Sequence, residues 1–294
     1  MLNLYKNCNL CPRQCGVNRL KGELGFCGAD ATAEINRIGL HFMEEPIISG
    51  TKGSGTVFFT HCSLGCIFCQ NSDISRRVSS GKKYSANELA KQYIELEKMG
   101  AHNINLVTPT HYMPTVAQSC VLAREMGLKI PFVYNTSGFE MPEHIKKLDG
   151  IIDIFLTDLK YFSPYLANRY SGSEDYFDYC LPAISEMIKI TGSPTFNDDG
   201  ILKKGTIIRH LILPGAVNDT LNILRQTQKH FSDRVLVSLM RQYTPMSTDL
   251  PDELNRTVTD EEYAQAVDEF NALGLSGFLQ QSDSVGKDKI PEFE

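Results

Sequence analysis

Apolar residues recur along this chain with two different periods. Short runs rich in β-branched and aromatic side chains fall at residues 56–60, 104–108, 131–135, 151–157, 206–213 and 235–239, and each reads as a strand. Stretches of helical period lie between and after them, near residues 86–99, 115–126, 142–148, 176–190, 219–231 and 260–273. Ser85 with Glu88 three positions on has the pattern of a capping box, and Gly100 is a natural stop. Asn218 or Asp219 is expected to cap its helix. A last apolar run, residues 277–279, closes the set. Strands alternating with helices across short loops predict an α/β fold with a parallel sheet. Periodicity alone does not separate a partial barrel from an open, doubly wound sheet.

The first fifty residues have a different character. Cys8, Cys11, Cys15 and Cys27 are interleaved with Pro12, Gly16, Gly22, Gly25 and Gly28. Such a segment is too short and glycine-rich to build a core, and four thiols supply a staple. They could hold structural zinc or an auxiliary iron–sulfur cluster, or be redox-active or unmetallated thiols. Strand-like pieces at 33–35, 38–42 and 44–47 then form a connector. The chain therefore divides into a cysteine-rich extension with connector, 1–49, and a main unit, 50–294. The glycine-rich 50–55 stretch precedes a strand and lacks the order of a phosphate-binding loop. Residues 77–81 read as a loop.

Composition narrows the function. The 294 residues are 42% hydrophobic, enough for a large core, and carry a net charge of −6. Basic residues come only in short pairs such as Arg76-Arg77 and Lys82-Lys83, so neither a nucleic-acid footprint nor a membrane-surface patch is expected. No apolar run approaches a membrane span, and the start of the chain lacks signal-peptide organisation. Nine cysteines in such a chain point to a reducing cytoplasm and to metal ligation.

The densest chemistry is Cys62-x3-Cys66-x2-Cys69, where the first main strand gives way to a loop. Three thiolates are one short of a closed tetrahedral site and suit a metal centre with a position left open. A Cys3His zinc site with His61 is awkward, because adjacent side chains leave a strand in opposite directions. The C-x3-C-x2-C spacing with Cys66-Ile67-Phe68-Cys69-Gln70-Asn71 closely resembles radical S-adenosylmethionine (SAM) enzymes. Two later segments make the likeness closest to pyruvate formate-lyase activating enzymes, in the group with an N-terminal cysteine motif. These are Asp158-Leu159-Lys160 and Arg209-His210-Leu211-Ile212-Leu213-Pro214-Gly215.

The resemblance covers about residues 50–245 and implies a partial (β/α)6 barrel. It implies that Cys62, Cys66 and Cys69 hold a [4Fe-4S] cluster whose fourth iron takes SAM. One electron then releases a 5′-deoxyadenosyl radical that abstracts hydrogen from a substrate, which in the activases is a glycine of a partner enzyme. By the same resemblance Phe68 leans on the adenine, and Asp158, Lys160 and Arg209 help to hold SAM. A reducing partner such as flavodoxin or ferredoxin is implied too. In a parallel barrel the functional groups gather at the C-terminal strand ends. There Thr108 and Ser137 are further candidate SAM contacts, and His111 a candidate acid/base. Most of the family carries a Gly-Gly-Glu-like motif where this chain has Thr108-Pro109-Thr110-His111. The alternative reading is a non-catalytic zinc or iron–sulfur protein serving interaction or electron transfer.

Overall fold

The computed structural model describes residues 1–75 and 81–280. Arg76-Arg77 and residues 77–80 of the expected loop lie outside them. The strands are β1 (Ala33–His41), β2 (Ser54–Phe59), β3 (Lys82–Tyr84), β4 (Ile104–Val107), β5 (Phe132–Thr136), β6 (Ile154–Asp158), β7 (Thr195–Phe196), β8 (Leu202–Leu211), β9 (Leu236–Met240) and β10 (Gly277–Leu279). The helices are α1 (Pro46–Ser49), α2 (Ser72–Ser75), α3 (Ala86–Lys98), α4 (Met113–Glu125), α5 (Pro142–Ile145), α6 (Pro164–Ser171), α7 (Tyr176–Thr191), α8 (Val217–Phe231) and α9 (Asp260–Ala272).

All six expected main strands are present. They lie side by side as β2-β4-β5-β6-β8-β9, every pair parallel, and β10 adds a seventh parallel strand beside β9. This is the expected partial (β/α)6 arrangement. β1 extends the sheet antiparallel to β2, and β3 pairs antiparallel with β1.

Alternation along the strands sorts side chains onto two faces. Ile104, Leu106, Phe132, Tyr134, Phe155, Ile208, Val237 and Leu239 join the large core beneath the helices. Their neighbours Val133, Ile154, Leu156 and Ile207 form a separate inner cluster, plugged by Ile48 of α1. Burying Ile48 completely supplies about 2 kcal/mol. Above this plug the inner positions turn polar, with Asn135, Asp158, Arg209 and Ser238.

Several elements depart from the expected pattern. The pieces at 33–35 and 38–42 merge into β1, with an irregularity between Ile35 and Arg37. The stretch 44–47 is not a strand: Pro46 fixes the first position of α1 and turns the chain inward. β8 begins at Leu202, earlier than residue 206, because β7 pairs with its first residues. α6 was not anticipated, although Ser163-Pro164 at its start and Gly172 (φ 59°) at its end are ordinary boundary signals. Ser85 and Glu88 do form the capping box of α3. Neither Asn218 nor Asp219 caps α8, whose N-cap is Ala216. The Asp219 carboxylate instead accepts from the backbone N–H groups of Phe162 (3.0 Å) and Ser163 (2.7 Å), joining α8 to the loop after β6.

Candidate active site

The site begins where β2 ends. His61 (φ 70°) and Gly65 (φ 71°) take left-handed conformations that curl the loop carrying the three cysteines. The loop is tied down by His61 N–H to the Ile74 carbonyl (2.6 Å) and Ile67 N–H to the Tyr170 carbonyl (2.9 Å).

Each thiol has a donor of its own. Leu64 N–H points at Cys62 Sγ (3.4 Å), the Ser171 hydroxyl at Cys66 Sγ (3.1 Å), and the Ser75 hydroxyl at Cys69 Sγ (3.3 Å). Donors of this kind favour thiolate and tune a metal–sulfur centre. Without metal, burial and the neighbouring sulfurs push the Cys62 thiol up to about 12. Burial and Cys66 raise Cys69 as well, against the opposing ammonium of Lys160. Loading a metal on these thiols therefore displaces protons. The donor set fits an iron–sulfur cluster held by three thiolates.

Beside the thiols runs a chain of charges. Lys160 Nζ lies 2.6 Å from Asp158 Oδ2, and Arg209 Nε donates to Asp158 Oδ1 at 3.1 Å. Arg209 also donates to Asn135 Oδ1 (2.6 Å) and to Glu44 Oε2 (3.4 Å). Burial works against ionisation of Asp158, but Lys160 and Arg209 outweigh it and hold the carboxyl below its usual range. Burial likewise opposes the charges on Lys160 and Arg209, and Asp158 overcomes it in both. Burial raises Glu44 and Glu45, partly offset by Arg209.

Of these groups Arg209, Asn135, Glu44 and Glu45 line a cavity of about 710 Å³, while Asp158, Lys160 and the three thiols stand outside its lining. Gln70 and Asn71, directly after Cys69, lie on its wall with Thr108, Asn135, Arg209 and Ser238, and Glu44 and Glu45 enter from the β1–α1 connection. Glu45 Oε2 is buried and has no hydrogen-bond partner among the described residues. Glu44 and Glu45 escaped the sequence reading because their stretch was read as a strand. The available signal was an acidic pair directly before a proline.

The other sequence candidates have diverse surroundings. Thr108 lines the cavity and has φ 61°, a rare conformation for a β-branched residue, with its N–H bonded to the Asn135 carbonyl (2.8 Å). Ser137 is outside the residues lining the cavity, and its carbonyl accepts from the Tyr176 hydroxyl (2.8 Å). Phe68 is buried edge-on among Tyr161, Tyr170 and Tyr243 and does not line the cavity. His111 is buried with Nε2 on the Thr60 carbonyl (2.8 Å), and burial drives its pKa down to about 3. Nearby, Glu140 was not singled out from sequence. Burial raises its carboxyl to about 7, although the Thr110 and Thr136 hydroxyls both donate to Oε1.

The N-terminal thiols are also neighbours. Cys8 and Cys27 act electrostatically on Cys11, and Cys8 and Cys15 on Cys27. Among the described residues no three His, Cys, Asp or Glu side chains are gathered so as to hold a single metal ion. No helix among the described residues is long and apolar enough to cross a membrane.

Known proteins are similar to this chain in sequence or in fold. MJ0674 of Methanocaldococcus jannaschii, a protein named only as uncharacterised, is 30% identical over 277 residues, which cover 90% of this chain and 75% of that one. Among solved structures, HydG, a maturase of the [FeFe]-hydrogenase, superposes with a TM-score of 0.51 at 14% identity, over 78% of this chain and 52% of HydG. Streptococcus suis SuiB bound to S-adenosylmethionine gives 0.52 at 13% identity, over 76% of this chain and 49% of SuiB. At such identities the likeness speaks for the fold, and this chain spans about half the length of those two proteins. Residues 56–203, the span from β2 into β8 that includes all three clustered thiols and Asp158, match the radical SAM superfamily, to which the chain therefore belongs.

Proposed function

We propose that the protein is a radical SAM enzyme of the activating-enzyme type. Cys62, Cys66 and Cys69 would hold a [4Fe-4S] cluster, and SAM would occupy the cavity beside it. Once bound there, the cluster would supply the electron for cleaving SAM to a 5′-deoxyadenosyl radical and methionine. The residues of this chain position the reactants. Ser171, Ser75 and the Leu64 N–H hold the thiolates. Arg209 uses three hydrogen bonds to fix itself against Asp158, Asn135 and Glu44, leaving two of its five N–H groups for an incoming carboxylate. Lys160 and Asp158 supply one cation and one anion at the cluster side, and the Glu45 oxygen without a partner gives a cationic group a place to bind. Thr108 would offer its hydroxyl or carbonyl to the SAM ammonium.

The observation that carries this reading is the adjacency of a donor-equipped thiol triad to the Lys160–Asp158–Arg209 chain, whose Arg209 end lines the cavity. Both segments of that chain resemble the activases, so the hydrogen donor in this reading is a glycine Cα of a partner protein. A flavodoxin or ferredoxin would deliver the electron.

Anaerobic reconstitution with iron and sulfide, followed by dithionite and SAM, tests the chemistry. Wild type is expected to form 5′-deoxyadenosine and Cys66→Ala to form none. No product from wild type, or an undiminished yield from the variant, overturns the reading. Transfer of deuterium into 5′-deoxyadenosine from a partner protein labelled at glycine Cα tests the activase assignment.

A further inference from the structure

Glu44 and Glu45 are adjacent in sequence and differ in what holds them. Both oxygens of Glu44 are occupied: Asn105 Nδ2 donates to Oε1 at 3.0 Å, Asn135 Nδ2 to the same oxygen at 3.5 Å, and Arg209 Nη1 to Oε2 at 3.4 Å. Glu45 is only 8% exposed, its Oε2 is shut off from water, and that oxygen accepts from no donor among the described residues. Both residues line the cavity. A carboxylate oxygen left unmet in such a place is costly, and a cation arriving from the cavity would satisfy it.

The local charges call for the same group. Asp158, Glu44 and Glu45 are three carboxylates, and all three act on Arg209. Arg209 and Lys160 are the two cations set among them. The set is one positive charge short. His41 lines the cavity as well, but burial and the nearby Arg37 lower its pKa, so near neutral pH its imidazole adds no charge. Burial raises both Glu44 and Glu45, which makes a proton the competitor for this place.

Position separates Glu45 from the thiols. Lys160 is the member of the chain that feels Cys66 and acts on Cys69. Glu45 feels Arg209 and Glu44 instead, at the other end. SAM bound at the core thiols lies at the Lys160 end, which leaves Glu45 for a second molecule.

The border of the cavity is apolar. The sheet runs from β10 at one end to β1 and β3 at the other, and both ends contribute to the cavity wall. Phe42 and Met43, directly after β1, are 55% and 57% exposed, and Leu279 of β10 is 39% exposed. Large exposed apolar side chains gathered at a cavity mark a place where a ligand is covered. Phe42 and Met43 immediately precede the acidic pair, so four consecutive residues present an apolar surface outside and carboxylates inside.

We propose that Glu45 receives a cationic group of the hydrogen-donating substrate, an ammonium or guanidinium on an apolar stem that lies against Phe42, Met43 and Leu279. In a partner protein this is a lysine or arginine side chain close to the reacting glycine; a free amine has the same chemistry. That the bound molecule donates the hydrogen rests on the proposed enzymatic function; the cation site does not.

The probe is n-hexylammonium, titrated calorimetrically into the full-length protein after anaerobic reconstitution, with and without saturating SAM. Hexylammonium is expected to bind saturably in both cases, and hexanoate is expected not to bind. Glu45→Gln should weaken hexylammonium about tenfold or more, as loss of a hydrogen bond to a charged group does. Met43→Ser alters only an exposed position and so gives a second reading that does not depend on how the first variant folds. It should weaken hexylammonium and leave ethylammonium, which is too short to reach it, unchanged. No binding of hexylammonium, equal binding of hexanoate, or wild-type affinity in both variants overturns the cation site. Displacement of hexylammonium by SAM would show the place to be SAM's own and overturn the substrate assignment. A peptide with lysine beside glycine that binds more tightly than hexylammonium supports the protein source, and hexylammonium binding without peptide binding assigns the site to a free amine. Hexylammonium bound as expected by a protein that forms no 5′-deoxyadenosine would sink the proposed enzymatic function and leave the cation site standing.

Discussion

Arg209 on β8 donates through Nε to Asp158 Oδ1 at the end of neighbouring β6, at 3.1 Å, while the other Asp158 oxygen holds Lys160 at 2.6 Å. One carboxylate thus balances two buried cations, with Glu44 assisting on the far side of Arg209. Asp158→Asn keeps the shape and removes the charge. It is expected to cost about 3 kcal/mol in urea unfolding, because breaking one member of a buried ionic set leaves the rest uncompensated. Adding Arg209→Gln to that variant should recover part of the loss, and a double-mutant cycle measures the coupling.

Gly138 lets the chain after β5 pass directly against Asp158. Its φ is 77°, and a Cβ there would lie 2.2 Å from the Asp158 carbonyl oxygen and 2.5 Å from Cys180 Sγ. Both are rigid, buried neighbours. Gly138→Ala should therefore destabilise the protein by about 3 kcal/mol, combining backbone strain with overpacking. A thermal midpoint equal to that of wild type would contradict the required close approach.

Ser171 at the end of α6 gives one hydrogen bond to Cys66 Sγ and shares another, 2.7 Å long, with the Tyr161 hydroxyl. Ser171→Ala should cost about 1 kcal/mol of stability. In the iron-loaded protein it should also lower the reduction potential of the core site, since a donor on sulfur stabilises the more negative reduced state. Spectroelectrochemical titration against wild type reads the shift. Ser185→Ala on α7 is a control, since that half-buried hydroxyl is bonded to the Leu181 carbonyl.

Glu140 gives the fold a pH dependence of its own. Burial raises its carboxyl from an ordinary 4.5 to about 7. The folded state holds the proton more tightly than the unfolded chain. Its contribution is therefore complete below about pH 4.5, is lost as pH rises through about 7, and is level above. The shift corresponds to about 3 kcal/mol. Urea unfolding of wild type and Glu140→Gln between pH 5 and 8.5 should show wild type losing most of that amount relative to the variant. Parallel curves would exclude the assignment.

What could be read in the sequence was local or periodic. Cys62, Cys66 and Cys69 stand within one loop, so their spacing already carried the geometry. Strand alternation placed Asp158 and Lys160 on one side, where they form an ion pair. Features that depend on distant partners were not legible. Asp219 looked like a helix cap because its sequence context is that of one, but the N–H groups it serves lie more than fifty residues earlier. Ser171 gained its role from α6, too short to show a clear period. Glu44 reaches Arg209 across 165 positions, by way of a turn that local apolar content disguised as a strand.

Arg13, which donates to the carbonyls of Ser63, Leu64, Ser171 and Gly172, also sets an order of events during synthesis. The carbonyl of Gly172 that it grips is made 159 residues later, and the Thr115 hydroxyl that meets Tyr5 is 110 residues away. On a ribosome the first four thiols therefore emerge long before the surface they dock against exists. Contacts this distant in sequence form late in folding, after their loop-closure entropy has been overcome. This early-made segment is among the last to find its place, and through that interval its cysteines stand open to oxidant and to any metal the cell supplies.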